Sequence, residues 1–260
     1  MLLLALLARS GIAQDPAADK GDAEGGVSQQ PPDATSRLDF GIDWFQTADG
    51  RVATGGLQYT WAPLTSHSFG AGLPLVDSGI SNTEGSGIGD LQFQYNYVPS
   101  RKLTANPWVP NSLGLGLGLV VPTGNLEDGT GAGEWVVTPS LGWAWRVGKG
   151  FVLLPQAQYS YSFSEEPGVV HTELLAVRLV VLYVWKKLFW VQYSPGFGRD
   201  MENGVQGFLH KLVVGHQFTR RLGSSLDFAS ITHDIPGNEA VSDSTTDYRL
   251  TLEVHWILAF

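Results

Sequence analysis

The chain has 260 residues, 43% of them hydrophobic and 16% charged, with 32 Gly, a formal net charge of −9 and no Cys. That balance excludes disulfides, thiol catalysis and Cys-ligated zinc or iron–sulfur sites, and with no basic run it argues against a nucleic-acid partner. The length suits one barrel or one large globular domain, and the glycines follow no collagen-like period.

Residues 1–13 read as a signal peptide. Leu2 to Leu7 form an apolar core, and Gly11 and Ala13 place small residues at the two positions that determine cleavage. Residues 14–35 are polar and acidic and include Pro31-Pro32. They carry too little apolar area to fold and are expected to form a disordered periplasmic leader. Beyond them no apolar run reaches the ~18 residues of a spanning helix. The best attempt, 174–185, holds Arg178 inside it.

From residue 36 onward, segments of alternating apolar and polar residues are separated by Gly, Pro, Asp or Asn. Twelve strands are expected, over 37–47, 51–62, 66–76, 86–98, 111–122, 134–147, 151–163, 169–185, 188–199, 205–219, 222–233 and 246–260. In the seventh, Phe151, Leu153, Ala157, Tyr159, Tyr161 and Phe163 share one face, and Gln156, Gln158, Ser160 and Ser162 share the other. A soluble sandwich has the same period with its apolar face inward, so the strand ends must discriminate. Those ends are aromatic: Tyr59 and Trp61, Tyr95 and Tyr97, Trp143 and Trp145, Tyr183 and Trp185. Such rings favour the headgroup level of a membrane, and their recurrence predicts a girdle in contact with lipid. The expected fold is therefore all-β: an antiparallel up-and-down transmembrane β-barrel of about 12 strands over residues 36–260, in a bacterial outer membrane.

An even strand count puts both chain ends in the periplasm. The turns at 148–150, 186–187 and 220–221 are short and carry Lys or Arg, so they are assigned inside. The segments at 76–85, 123–133 and 234–245 are longer and acidic, so they are assigned outside. Two connections fit poorly: 99–110 is long for an inner turn, and 48–50 is tight for an outer loop. In the last strand Leu250, Leu252, Val254, Trp256, Leu258 and Phe260 alternate with Thr251, Glu253, His255, Ile257 and Ala259. The terminal Trp256, Leu258 and Phe260 resemble the signal read by the outer-membrane barrel assembly machinery.

Two stretches, GSGIGDLQFQYNY at 85–97 and LGLGLGLVVPTG at 113–124 followed by Gly129-Thr130-Gly131, resemble a family of outer-membrane barrels grouped as transporters and named for the MetA pathway of phenol degradation. The resemblance extends loosely from about residue 37 to the end. It implies passage of small, often aromatic or hydrophobic compounds and carries over no site residue. By themselves, Gly114, Gly116 and Gly118 lie opposite Leu113, Leu115, Leu117 and Leu119, which leaves lumen space or lets the strand curve. The G-x-G-x-G spacing inside a strand is no dinucleotide fingerprint.

Projecting the alternation inward gives the lumen candidates. Asp43, Asp227 and Glu253 fall on the first, eleventh and twelfth strands, which become neighbours on closure. Arg178 and Lys211 project from the eighth and tenth, and Asp90 lines the fourth beside Gln92, Gln94 and Asn96. These charges either set up a transverse field across a constriction or pair with one another and hold a narrow lumen. Placing Lys211 inward turns His210 and His216 toward lipid, and a register slip would reverse both. The six His have no metal-site spacing; His210 and His216 lie about 20 Å apart at strand rise. His171 is the one candidate for a lipolytic base, and the sequence offers it no Ser. The expected function is passive outer-membrane passage of small solutes, with no catalysis and no cofactor. A closed structural barrel or a lipid-modifying enzyme are the alternatives, and outer-membrane lipids, the assembly machinery and a small-molecule solute are the expected partners.

Overall fold

An alternating strand has one face that water rejects and two edges whose N–H and C=O groups need partners; closing the sheet on itself satisfies every edge. The computed structural model describes residues 36–47, 50–64, 66–80, 83–101, 112–147, 150–165, 169, 171–185, 188–202, 204–234 and 246–258. The expected signal peptide and leader, and Phe260 of the assembly signal, lie outside the described residues. The strands are β1 (Arg37–Thr47), β2 (Gly50–Leu64), β3 (His67–Ile80), β4 (Thr83–Ile88), β5 (Leu91–Arg101), β6 (Ser112–Val121), β7 (Glu134–Val147), β8 (Phe151–Glu165), β9 (Glu173–Trp185), β10 (Phe189–Asp200), β11 (Gln206–Gln217), β12 (Leu222–Asp234) and β13 (Thr246–Ile257). The ring closes where β1 meets β13 antiparallel, from Arg37↔Ile257 to Gln46↔Tyr248. With β4 lying on β3 beyond the ring, twelve strands form the closed antiparallel barrel. Among the described residues no helix is long and apolar enough to cross a membrane.

The structure differs from the sequence expectation at the fourth strand. Gly89 and Asp90 break it into β4 and β5, and the segment 76–85, expected to be a loop, is a continuation of the β3–β4 hairpin down to Ile80↔Thr83. The reason is physical. Over 76–85 the sequence VDSGISNTEG carries no apolar alternation, so the pattern that reveals a membrane strand disappears while the backbone pairing continues.

The wall is inverted relative to a soluble protein. Phe40, Leu117, Phe208 and Trp256 lie about half exposed on the outside, whereas Asp39, Asp43, Asp227 and Thr251 are buried inside. A continuous apolar exterior of this kind belongs against lipid. Register also fixes the tenth expected strand: Lys211 pairs with the inward Ser194, so His210 and His216 face outward. His216 stacks with Phe189 at 4.2 Å, and the Nδ1 of His210 lies 2.8 Å from the Tyr193 hydroxyl, so each imidazole has an aromatic partner on the outer face.

The interior is not uniformly polar as expected. Leu174, Ala176, Leu209, Ala229 and Ile231 form one buried inward cluster, with Phe45 of β1 packed against it. Ala144, Val152, Leu154, Val180, Leu182 and Trp190 form a second. Both clusters lie on the arc from β7 to β12. The opposite arc, β2 to β6, presents Thr54, Gln58, Gly72, Gln92, Gln94 and Gly118, all half-buried. The barrel is therefore filled along one side and lined by small or neutral polar groups along the other.

Candidate functional site: the barrel lumen

The charged part of the lumen centres on β12, β13 and β1. Asp43 and Asp227 both stand opposite Thr251 in register, so one row crosses three strands. Each carboxylate has a cation beside it. Lys211 Nζ is 2.7 Å from Asp227 Oδ2, and Arg249 Nη2 is 2.8 Å from Asp43 Oδ2. Glu253, on β13, is less buried, with its carboxylate 3.9 Å from His255 Nε2. Nearer the chain ends, Arg37 Nε donates to Asp39 at 2.7 Å and His255 Nδ1 lies 2.9 Å from the other Asp39 oxygen. Thus Asp227 and Lys211, an acid and a base expected on facing arcs, meet as neighbours on adjoining strands. Arg249, Asp39 and His255 were absent from the sequence candidates, although each shares the inward parity of Glu253 or Asp43 on its own strand.

Arg178 stands apart from this cluster. It pairs in register with Gln156 on one side and Gly196 on the other, and its Nε donates to the Gln156 amide oxygen. Among the neutral arc, Gln94 donates to Asn96 and Asn96 to Ser68, at 3.2 and 3.3 Å. These amides hold one another and present dipoles without net charge.

Asp90 does something other than line the mid-height lumen. Sitting in the bend between β4 and β5, its carboxylate accepts from Gly124 N at 2.9 Å and from Ala132 N at 2.7 Å. The Thr123 hydroxyl donates to the Gly89 carbonyl and accepts from Leu91 N–H, at 2.9 and 3.0 Å. The segment 123–133 is thereby fastened onto β4, with Thr130 to Gly133 buried. A Cβ on Gly85 would lie 2.6 Å from Asp128, and one on Gly131 would lie 2.6 Å from the Gly124 backbone. Glycine at these two places is what allows the approach. The two glycine-rich stretches noted in the sequence are two halves of one joint, invisible from spacing because they are far apart in the chain.

Among the described residues, two serine hydroxyls lie within hydrogen-bond reach of an imidazole. Ser225 Oγ is 3.2 Å from His255 Nε2, which completes a Ser–His–Asp chain with Asp39. Ser225 pairs with Gly215 on one side and Glu253 on the other, so the backbone N–H groups around it are engaged in ladders. Ser225, His255 and Asp39 thus form a hydrogen-bonded chain across β12, β13 and β1. His171, which has no Ser partner legible from spacing, has Ser162 Oγ at 2.8 Å from its Nδ1. Ser162 is fully buried and already accepts from Thr172 N–H, so it is no lipid-facing nucleophile. Among the described residues no group of His, Asp and Glu could hold a metal.

On the outer face, most of the expected girdle residues lie toward the rim that holds the chain ends, while Trp44, Phe163, Phe208 and Tyr248 are exposed toward the other rim. Trp61 packs on Phe69 and Phe69 on Tyr95; Tyr97 meets His67, Tyr183 meets Phe151 and Trp185 meets Phe189. Tyr59 belongs to the same exposed set, and Trp143 and Trp145 lie half-buried on β7. Trp256 is 53% exposed at the end of β13, where its register with Leu38 helps close the ring.

A family described as "Putative MetA-pathway of phenol degradation" matches residues 17–208, more than half of the chain. Among solved structures, the fold is similar to an outer membrane channel from Pseudomonas putida F1, with 14% identity, a TM-score of 0.65, and 93% of this chain and 100% of that one covered. It is also similar to the NanC porin, with 11% identity, a TM-score of 0.59, and 85% and 100% covered. The KdgM porin, in a complex with disordered oligogalacturonate, shares 10% identity at a TM-score of 0.55, with 86% and 99% covered. At these identities the likeness is one of fold. No curated protein matches the chain in sequence.

Proposed function

We propose a function from one premise: this chain belongs to the family of the MetA pathway of phenol degradation. It acts as a passive outer-membrane channel for small solutes, aromatic and hydrophobic ones among them. The observation that carries this reading is the asymmetry of the lumen. The β2–β6 arc is lined by glycines and neutral amides, while Asp43 on the adjoining β1 and Asp227 on β12 are each matched by a cation. A passage bordered by matched charge and neutral dipoles presents a weak field, so it places little penalty on uncharged solutes.

In this reading Asp43, Lys211, Asp227 and Glu253 form the wall that narrows the passage, and Arg178 borders it on β9. The fastened segment 123–133, held by Asp90, shapes the outer mouth. Tyr59, Trp61, Tyr95, Tyr97, Trp143, Trp145, Tyr183 and Trp185 sit at the lipid headgroups. Trp256, Leu258 and Phe260 are read by the barrel assembly machinery. A closed barrel is the second reading, favoured by the two buried apolar clusters. Conductance in planar bilayers and liposome swelling with neutral solutes decide between them. Discrete openings and swelling are expected; a silent, impermeable barrel would leave the closed reading standing.

A further inference from the structure

Trp190 is the second residue of β10, so it lies close to the rim that holds the chain ends, and it faces inward. Its register row runs from Val184 on β9 through Trp190 to Gly215 on β11 and Ser225 on β12. An inward indole can point across the lumen or lie along the wall. This one lies along the wall. A Cβ placed on Gly215 would stand 1.9 Å from the indole Cε2 and 2.0 Å from Cζ2, so the ring rests directly on the Gly215 backbone. On the next strand, the His255 imidazole leans over β12, with Nε2 3.2 Å from the Ser225 hydroxyl and Nδ1 2.9 Å from Asp39. The indole and imidazole centroids are 6.4 Å apart. Gly215 therefore lies beneath the indole, Leu182 and Val184 pack on its β9 side, and an imidazole held at both nitrogens stands on its β13 side. At 5% exposure the ring is covered on its upper face as well, so the lumen is filled along this arc.

We infer that Trp190 sets the solute-size limit of the passage near this rim, with Gly215 as its seat and His255 as the side chain that holds it there. Glycine is what permits the flat arrangement, because any Cβ at that distance must displace the ring. The backbone beneath has little freedom to yield, being paired to β10 on one side and β12 on the other. The indole turns about two side-chain bonds, so it is the part that gives. A Cβ on Gly215 lifts it off β11 and toward the β2–β6 arc, which faces β11 across the ring. Gln217 lies over Gly223 in the same manner, with its Oε1 2.7 Å from a Cβ placed there. Side chains laid over glycines thus keep bulk against the wall in this sector. The inference rests on the channel reading and deepens it by naming the residues that set the width.

The test combines bilayer conductance and liposome swelling with arabinose and sucrose, using the whole folded chain. Fluorine NMR of fluorotryptophan-labelled barrels in micelles reports the ring itself, its signal assigned by its loss in Trp190→Ala. Trp190→Ala should raise conductance by about half or more and raise sucrose swelling relative to arabinose. Trp190→Leu is the milder variant if that barrel misfolds. Gly215→Ala should lower conductance by about half and shift the Trp190 resonance, and His255→Ala should shift the resonance too. The double variant Trp190→Ala with Gly215→Ala should match Trp190→Ala, because the added Cβ then has no ring to lift. Three results would overturn the inference: an equal fractional loss from Gly215→Ala with and without the indole, an unmoved resonance in Gly215→Ala and His255→Ala, or a conducting barrel indifferent to Trp190→Ala and Trp190→Leu. The last of these spares the channel reading. A silent parent barrel that Trp190→Ala opens does the reverse, sinking the open channel and keeping Trp190 as the residue that limits passage.

Discussion

The pair between Lys211 and Asp227 offers the sharpest energetic test of how the lumen is held. The two groups meet at 2.7 Å, with side chains only 18% and 5% exposed. At that distance and an effective dielectric of about 20, their attraction is about 6 kcal/mol, against a desolvation cost of several kcal/mol for each ion. The second Asp227 oxygen, Oδ1, is buried without a hydrogen bond, so the carboxylate recovers less than it could. The attraction and the desolvation therefore nearly cancel. Removing one partner strands the other: Asp227→Leu or Lys211→Met should each destabilise the barrel by about 3 kcal/mol. The double substitution Lys211→Met with Asp227→Leu should return to within about 1 kcal/mol of the parent, because both buried charges leave together. Urea unfolding of barrels folded into lipid vesicles, followed by tryptophan fluorescence, measures all four forms. If the double variant loses the sum of the two single losses, the charges do not hold each other, and matched charge in the lumen would have to be abandoned.

Three further outcomes follow from other parts of the barrel. Asp90→Ala removes the acceptor for Gly124 and Ala132 N–H; the local cost of about 2 kcal/mol should appear as roughly thirtyfold faster hydrogen exchange at those two amides, with global unfolding little changed. Gly118→Phe should leave the barrel folded, since a Cβ there lies an ordinary 3.5 Å from Thr138, and should cut single-channel conductance by about half or more through the added bulk. Unaltered conductance would place the passage away from the β2–β6 arc. Leu252→Arg, at the centre of the outer face of β13, should cost about 2–4 kcal/mol in vesicles, whereas Trp256→Arg at the strand end should lose mainly the indole contact with little charge penalty. A charge penalty as large at Trp256 as at Leu252 would contradict the lipid depth assigned to this wall.

The barrel was legible in the sequence because its main rule is local. Each strand must turn apolar residues to lipid at every second position, so Leu250, Leu252, Val254 and Trp256 declare both the strand and its outer face without reference to any other segment. The same rule put Lys211 and Asp227 inside. It was silent where the alternation lapsed: the β3–β4 hairpin carries none over 76–85, and its pairing is decided in space. Inward positions were harder, because a lumen accepts Leu174 or Leu209 as readily as Gln156, and only packing across strands decides which fill and which line. The partners of Asp43, Asp90 and Asp227 depended on register and on loop docking between distant segments. The sequence thus determined the faces of the wall, since a single strand beside lipid suffices to impose them. The tertiary structure decided which charges neutralise each other and where the segment 123–133 docks on Asp90, because both need segments distant in the chain brought side by side.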